Sequence, residues 1–253
     1  MGINSNLTIE EDNKNEVKEI SLAEIYFTQA EELRCNSQFK ESIDKYLHSI
    51  LINRTNPTSY LGLALSYKNL KNYKKAIQNL KKAEQLEPTD SAIQKELALC
   101  NIIDGNFCVG IKHLIASIKL EPENLDIQMQ LALVHEIIEE EDMALMIYQK
   151  IIETNPEYLR AYIQKATLYM HLNDYLKSAK LFKKVIKLKP DYYRAFLALG
   201  ICYEKLGNSL AAKRFYKKYV KISNNVLTNE EVKHRILELE FNNKNEINNL
   251  RIL

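Results

Sequence analysis

Four prolines, Pro88, Pro122, Pro156 and Pro190, stand 34 residues apart. Each closes a segment of one design: KKAIQNLKKAEQLEP, CVGIKHLIASIKLEP, MALMIYQKIIETNP and SAKLFKKVIKLKP. A fixed period of this length marks a stacked repeat architecture, in which each unit buries its apolar face only against its neighbours. Two helical patterns alternate within a period. In the second unit they are PTSYLGLALSYKNL (57–70) and YKKAIQNLKKAEQLE (73–87). The link between them, Lys71-Asn72, is too short for anything but an antiparallel neighbour. Proline ends the second helix because its ring clashes with the preceding turn and it brings no N–H.

Aligning on the prolines gives six units, at about 23–56, 57–90, 91–124, 125–158, 159–192 and 193–226. Stacking them produces columns of one character. The eighth position reads Ala30, Ala64, Ala98, Ala132, Ala166 and Gly200; the twentieth reads Ser42, Ala76, Gly110, Ala144, Ser178 and Ala212. The twenty-fourth reads Tyr46, Leu80, Leu114, Tyr148, Phe182 and Tyr216. Helices approach closely only where side chains are small, and a bulky neighbour then fills the groove. These columns resemble those of the tetratricopeptide repeat (TPR) family, with Leu63, Ala64, Tyr67, Tyr73, Ala76, Leu80, Ala83 and Pro88 as motif residues in the second unit. The resemblance implies an all-α fold, a right-handed α-α superhelix or TPR solenoid. It covers roughly residues 23–226.

Outside the array, residues 1–20 read as a flexible acidic tail carrying Glu10, Glu11, Asp12, Glu16 and Glu19. Order is expected from Ser21, an N-cap with Glu24 at capping-box spacing. After the sixth unit, T-N-E-E at 228–231 is a second capping box, expected to open a capping helix over 227–241. The Asn-rich stretch 242–253 reads as a fraying tail. With six Gly and five Pro in 253 residues, the composition favours helix. There is neither a secretory leader pattern nor an apolar run of about 18 residues, so the chain reads as a soluble cytoplasmic protein. Four cysteines without C-x-x-C pairing read as buried thiols, Cys100 and Cys202 sharing the tenth, packing position.

The sequence offers no catalytic signature. His135-Glu136-Ile137-Ile138-Glu139 lacks the second imidazole of a zinc-protease helix, and no phosphate loop or nucleophile elbow is present. The reading is a non-catalytic protein, with no cofactor and no metal. Two departures mark the middle of the array: Gln94 and Asn101, then Gln128 and His135, stand where the family places an aromatic pair. In the sixth unit, Tyr219 replaces the usual Ala or Ser.

The resemblance implies that the first helix of each unit lines a concave face. Its fifth and ninth positions, one turn apart, read Leu61/Leu65, Lys95/Leu99, Met129/Leu133, Ile163/Thr167 and Leu197/Ile201. Ile102, Ile103, Ile137 and Met170 extend this apolar stripe, while Gln130, Gln164, Arg160 and Arg194 supply polar groups able to grip a peptide backbone. The stripe suits an apolar or amphipathic peptide segment of a protein partner. The asparagines and lysines that hold a C-terminal carboxylate in co-chaperone relatives are missing, Leu99 standing in the partner Asn slot. An alternative use is polyanion binding, to nucleic acid or an acidic surface, through the basic fifth and sixth units. A regulatory-subunit role in an enzyme complex is a third reading, and self-association through the stripe or an end of the array is also open.

Overall fold

A computed structural model describes residues 22–223 and 226–250. The tail expected over 1–20 and the cap expected at Ser21 lie outside these residues. All regular structure among the described residues is α-helical. The helices are α1 (22–35), α2 (Phe39–Ile52), α3 (Pro57–Asn69), α4 (Tyr73–Leu86), α5 (Ser91–Ile103) and α6 (Phe107–Leu120). They continue as α7 (Leu125–Ile137), α8 (Glu141–Thr154), α9 (Leu159–His171), α10 (Tyr175–Leu188), α11 (Tyr193–Lys205), α12 (Ser209–Ile222) and α13 (Val226–Leu250). The chain divides into two compact units, Met1–Val134 and His135–Leu253.

The turn inside every repeat has one construction. Ser37, Lys71, Gly105, Glu139, Asn173 and Gly207 all have positive φ, between 60° and 86°, and all stand at the fifteenth position. One left-handed residue reverses the chain there. The next residue starts the second helix, and in three repeats its side chain caps it: Asn72 accepts from Lys75 N at 3.2 Å, Asp174 from Lys177 N at 3.0 Å and Asn208 from Ala211 N at 2.9 Å. At the other end, α4, α6, α8 and α10 stop two residues before Pro88, Pro122, Pro156 and Pro190. The residue preceding a proline is pushed out of helical φ/ψ, so the stop is local chemistry.

Within the first unit, α3 packs on α4 and α5 on α6, while α2 meets α3 and α4 meets α5. The second unit repeats the scheme with α8 on α9, α9 on α10, α10 on α11, α11 on α12 and α12 on α13. The small columns are enclosed: Ala30, Ala98, Ala132, Ala166, Ala76, Ala144 and Ala212 have no exposed surface. Rings lie directly over the missing side chains. A Cβ added at Gly62 would meet the Tyr46 ring at 2.4 Å, and one at Gly200 would meet the Tyr216 ring at 2.3 Å. Polar contacts cross from the twentieth position of one repeat to the tenth of the next, Ser42 to Ser66 at 2.8 Å and the Cys202 thiol to Ser178 Oγ at 3.4 Å.

The polar replacements of the aromatic pairs are buried and bonded. Gln94 Nε2 donates to Glu84 at 3.0 Å, and its Oε1 lies 2.7 Å from His113 Nδ1. Asn101 donates to Leu97 O at 2.7 Å and Gln128 to Pro122 O at 2.8 Å, while His135 Nδ1 lies 2.6 Å from Glu140. Hydrogen bonds thus stand in for aromatic packing in these slots.

Two expectations need correction. Cys35 and Cys108 are exposed, and only Cys100 and Cys202 are buried; burial pushes the Cys100 thiol up to about 11. The last helix begins at Val226, upstream of the T-N-E-E box, and runs through the Asn-rich stretch to Leu250. Once a helix is nucleated each residue adds a bond, asparagine costs little, and no Gly or Pro interrupts 226–250.

The turn and the ring contact separate two costs of adding a methyl group. Gly207→Ala meets nothing within 4 Å, so it bears only the left-handed backbone penalty of about 1 kcal/mol. Gly200→Ala must displace the Tyr216 ring and is expected to cost about 1–3 kcal/mol, as is Ala166→Leu. Urea unfolding of the three variants checks this order.

Candidate functional site

In the second unit the inner helices α9 and α11 carry the expected stripe. A cavity of about 330 Å³ opens on α11, lined by Met170, Tyr193, Arg194, Leu197, Ala198, Ile201 and Tyr219. It brings together Arg194, Leu197, Ile201 and Met170, all four named from the sequence as residues of the inner face. Leu197 and Ile201 are half-buried because their inner sides pack on the cluster of Phe196, Tyr216 and Tyr219. Tyr219, the oversized residue of the sixth repeat, is almost wholly enclosed and has its ring 6.0 Å from that of Tyr193. An alanine there would leave no such wall, so the departure from the family pattern shapes the cavity. Arg194 is exposed and hydrogen-bonded to the Tyr193 side chain, which places a permanent cation beside an apolar hollow.

Arg160, Ile163 and Gln164 on α9 are outside that lining. Arg160 is exposed, and Ile163 is half-buried against the core around Ala166 and Phe182. Thr167 donates to Ile163 O at 2.9 Å and so satisfies itself.

In the first unit, Leu61, Leu65, Lys95, Leu99, Gln130 and Leu133 are all half-buried. Leu61 packs on the cluster around Ala64 and Leu97, and Ile102 is packed against Leu114 and Ile127. Lys68 on α3 donates to Glu96 on α5 at 2.5 Å, tying successive inner helices together. Gln130 Oε1 is buried without a hydrogen-bond partner. Met129 departs from the expectation: it is completely buried and is a core residue. Met129 lies one turn from the half-buried Leu133 on the same face of α7, so helical spacing alone does not separate the covered residue from the open one. Among α3, α5, α7, α9 and α11 the exposed large apolar residues are instead Ile103 and Ile137, at the C-terminal ends of their helices, while α1 exposes Leu22 and Ile25.

Charge beneath the inner face follows a rule linking positions twelve and twenty-four. Where the twenty-fourth residue is tyrosine, the twelfth is charged and meets its hydroxyl or shares its partner. Tyr46 bonds Glu31 and receives Arg34 Nε at 3.2 Å, Tyr148 donates to Glu136, and Tyr216 donates to Glu204 at 2.8 Å. Glu136 is pushed above the usual carboxylate range by burial, partly offset by the Tyr148 hydrogen bond. Glu204 is held below that range, first by hydrogen bonding from Arg235 on α13, whose Nε lies 3.0 Å away. The cation makes the difference. Val232, Ile236 and Leu239 complete the attachment of α13 by packing on Phe196, Ala212, Tyr216 and Tyr219.

The tetratricopeptide-repeat family profile matches residues 57–90, 159–192 and 193–226, and these stretches of the chain are tetratricopeptide repeats. Among solved structures, it is similar to the C-terminal part of a TPR repeat-containing protein from Cytophaga hutchinsonii, with 20% identity, a TM-score of 0.71 and coverage of 78% of both chains. It is also similar to MamA, at 24% identity and TM-score 0.60 over 65% of this chain and 96% of that one. A third is YrrB, described as a TPR protein with an unusual peptide-binding site, at 17% identity and TM-score 0.58 over 75% of this chain and 97% of that one. No curated protein matches the sequence. Among the described residues, no group of three or more His, Cys, Asp or Glu side chains is placed to hold a metal ion. No described helix is long and apolar enough to cross a membrane.

The Glu204–Arg235 pair makes a pH-dependent prediction. A carboxyl whose folded pKa is depressed stabilises the folded state above its unfolded value, near 4.3, and loses that contribution as pH falls through the folded value. Glu204→Gln should therefore melt lower than wild type at pH 7. The gap should close below about pH 4, as followed by thermal denaturation across pH.

Proposed function

We propose that this chain is a non-catalytic protein-interaction scaffold whose inner helices hold an apolar or amphipathic peptide segment of a partner. The observation that carries the reading is the cavity on α11, with apolar walls from Met170, Leu197 and Ile201 and a cation, Arg194, at hand. Its volume of about 330 Å³ suits one or two side chains of a longer segment, not an enclosed small molecule. A peptide seated there would bury an apolar side chain between Leu197 and Ile201 and place a carboxylate on Arg194. Arg160, Ile163 and Gln164 on α9 extend the same face. Leu61, Leu65, Lys95, Leu99, Gln130 and Leu133 are the corresponding inner surface of the Met1–Val134 unit. The description of YrrB as having a peptide-binding site agrees with a peptide ligand on this type of scaffold.

The test is selection of peptides from a displayed random library on wild-type protein, followed by titration against variants. Enriched peptides should pair an apolar anchor with an acidic residue. Leu197→Glu with Ile201→Glu should weaken binding about tenfold or more, since burial of each anchor contact is worth on the order of 1.5–3 kcal/mol. Circular dichroism checks that helicity is retained. Selected peptides that bind the folded double variant as tightly as wild type would place recognition elsewhere.

A further inference from the structure

Helices α10 and α12 are the outer helices of neighbouring repeats in the His135–Leu253 unit, and they present matching exposed residues. Leu176 and Leu210 share the eighteenth position, Lys180 and Arg214 the twenty-second, Lys183 and Lys217 the twenty-fifth, and Lys187 and Lys221 the twenty-ninth. All eight are exposed. Steps of four, three and four residues put each set on one stripe, about 16 Å long at helical rise. Neither helix contains an acidic residue. Of the six cations, only Lys217 has a carboxylate in ion-pair range among the described residues, Glu240 at 3.1 Å.

The two stripes are held side by side. Lys183 Nζ lies 5.2 Å from the centre of the Tyr203 ring, and that ring stacks on Phe215 of α12 at 5.4 Å. The preceding turns add Leu172 and Leu206 at the fourteenth position, each 43% exposed. Leu176 and Leu210 are 56% and 70% exposed, unusually open for leucine on a helix that has a core to face. Repeat four breaks the pattern with Asp142, Met146, Gln149 and Glu153 at the same positions.

A surface that offers leucines along one edge and unpaired cations within the next turns needs a partner supplying apolar material and negative charge together. An anionic lipid bilayer does so: leucines enter the acyl boundary while lysine stems reach back to the headgroups. Nucleic acid would satisfy the cations but leave the leucines in water, and the stripes hold no aromatic side chain on which bases could stack. Lysine rather than arginine supplies five of the six charges. Point charges on flexible stems suit mobile headgroups better than the fixed forks that recognise individual carboxylates. We propose that this edge of repeats five and six docks peripherally on anionic membrane surfaces. The face lies on outer helices, separate from the inner cavity on α11, so membrane docking and peptide capture fail or succeed independently.

The experiment is co-sedimentation of the full chain with phosphatidylcholine vesicles, with and without phosphatidylserine. Binding is expected only with phosphatidylserine and should fall as salt is raised. The triple variant Lys180→Glu, Lys183→Glu, Arg214→Glu should lower the bound-to-free ratio about tenfold or more. The double variant Leu176→Ser, Leu210→Ser should also lower it, with helicity unchanged by circular dichroism in both. Equal binding to the two vesicle types, no binding to either, or undiminished binding of the leucine variant overturns the proposal. If the leucine variant keeps its binding and also retains wild-type affinity for a single-stranded RNA oligonucleotide, the cations serve nucleic acid instead.

Discussion

The contact on which the rest depends is the approach of a large side chain to a position that has almost none. Tyr216 lies over Gly200 and Tyr46 over Gly62, closer than any Cβ would allow. Small alanines share buried clusters with the bulky residues of other repeats, Ala64 and Ala76 with Leu80, Ala98 with Leu114 and Ala166 with Phe182. Because interiors are packed as densely as organic crystals, such a contact leaves one angle between the helices of a pair. The left-handed turn at the fifteenth position and the proline at the end then only have to deliver the helices to it. Repetition of the contact, more than any single interaction, builds the array.

Polar groups inside this packing are matched to it. The aromatic pair missing from repeats three and four is replaced by Gln94, Asn101, Gln128 and His135, each hydrogen-bonded to a carbonyl, carboxylate or histidine close by. An unbonded amide in these slots would cost more than the lost ring contacts, so the substitutions are sustainable only with these partners. The tyrosines of the twenty-fourth column follow the same logic. Their hydroxyls reach toward the twelfth position, where Arg34, Glu136 and Glu204 stand; opposite Leu80, Leu114 and Phe182 that position holds Lys68, Ile102 and Met170. Lys68 finds its partner in the next repeat, Glu96. Met170, freed of a polar duty, becomes part of the wall of the cavity on α11.

The two surfaces of repeats five and six illustrate a division of labour available to any such array. Inner helices are half-covered by packing, so what remains open is shallow and selective: Leu197 and Ile201, backed by the enclosed ring of Tyr219 from α12. Outer helices are free on one side, and their exposed positions can change without disturbing the core. That freedom lets two successive repeats carry matching leucines and cations while repeat four carries acids and methionines.

The sequence by itself determined the helices, the turns and the identity of the packing columns. These follow from short-range rules, proline stops, caps and small residues at fixed spacing, repeated often enough to be read. Arg194, Leu197 and Ile201 were legible as neighbours for the same reason, since single helical turns on α11 relate them, whereas Met170 joins them from α9. Tertiary structure decided what the period does not contain. Met129 is core although its repeat position matches that of the half-buried Leu197. Tyr219, a departure from the family pattern in the sequence, is a wall of the cavity on α11, and Cys35 and Cys108 are exposed where Cys100 and Cys202 are not. A repeat's own residues specify how its two helices meet; how much of each face stays open is set by the next repeat.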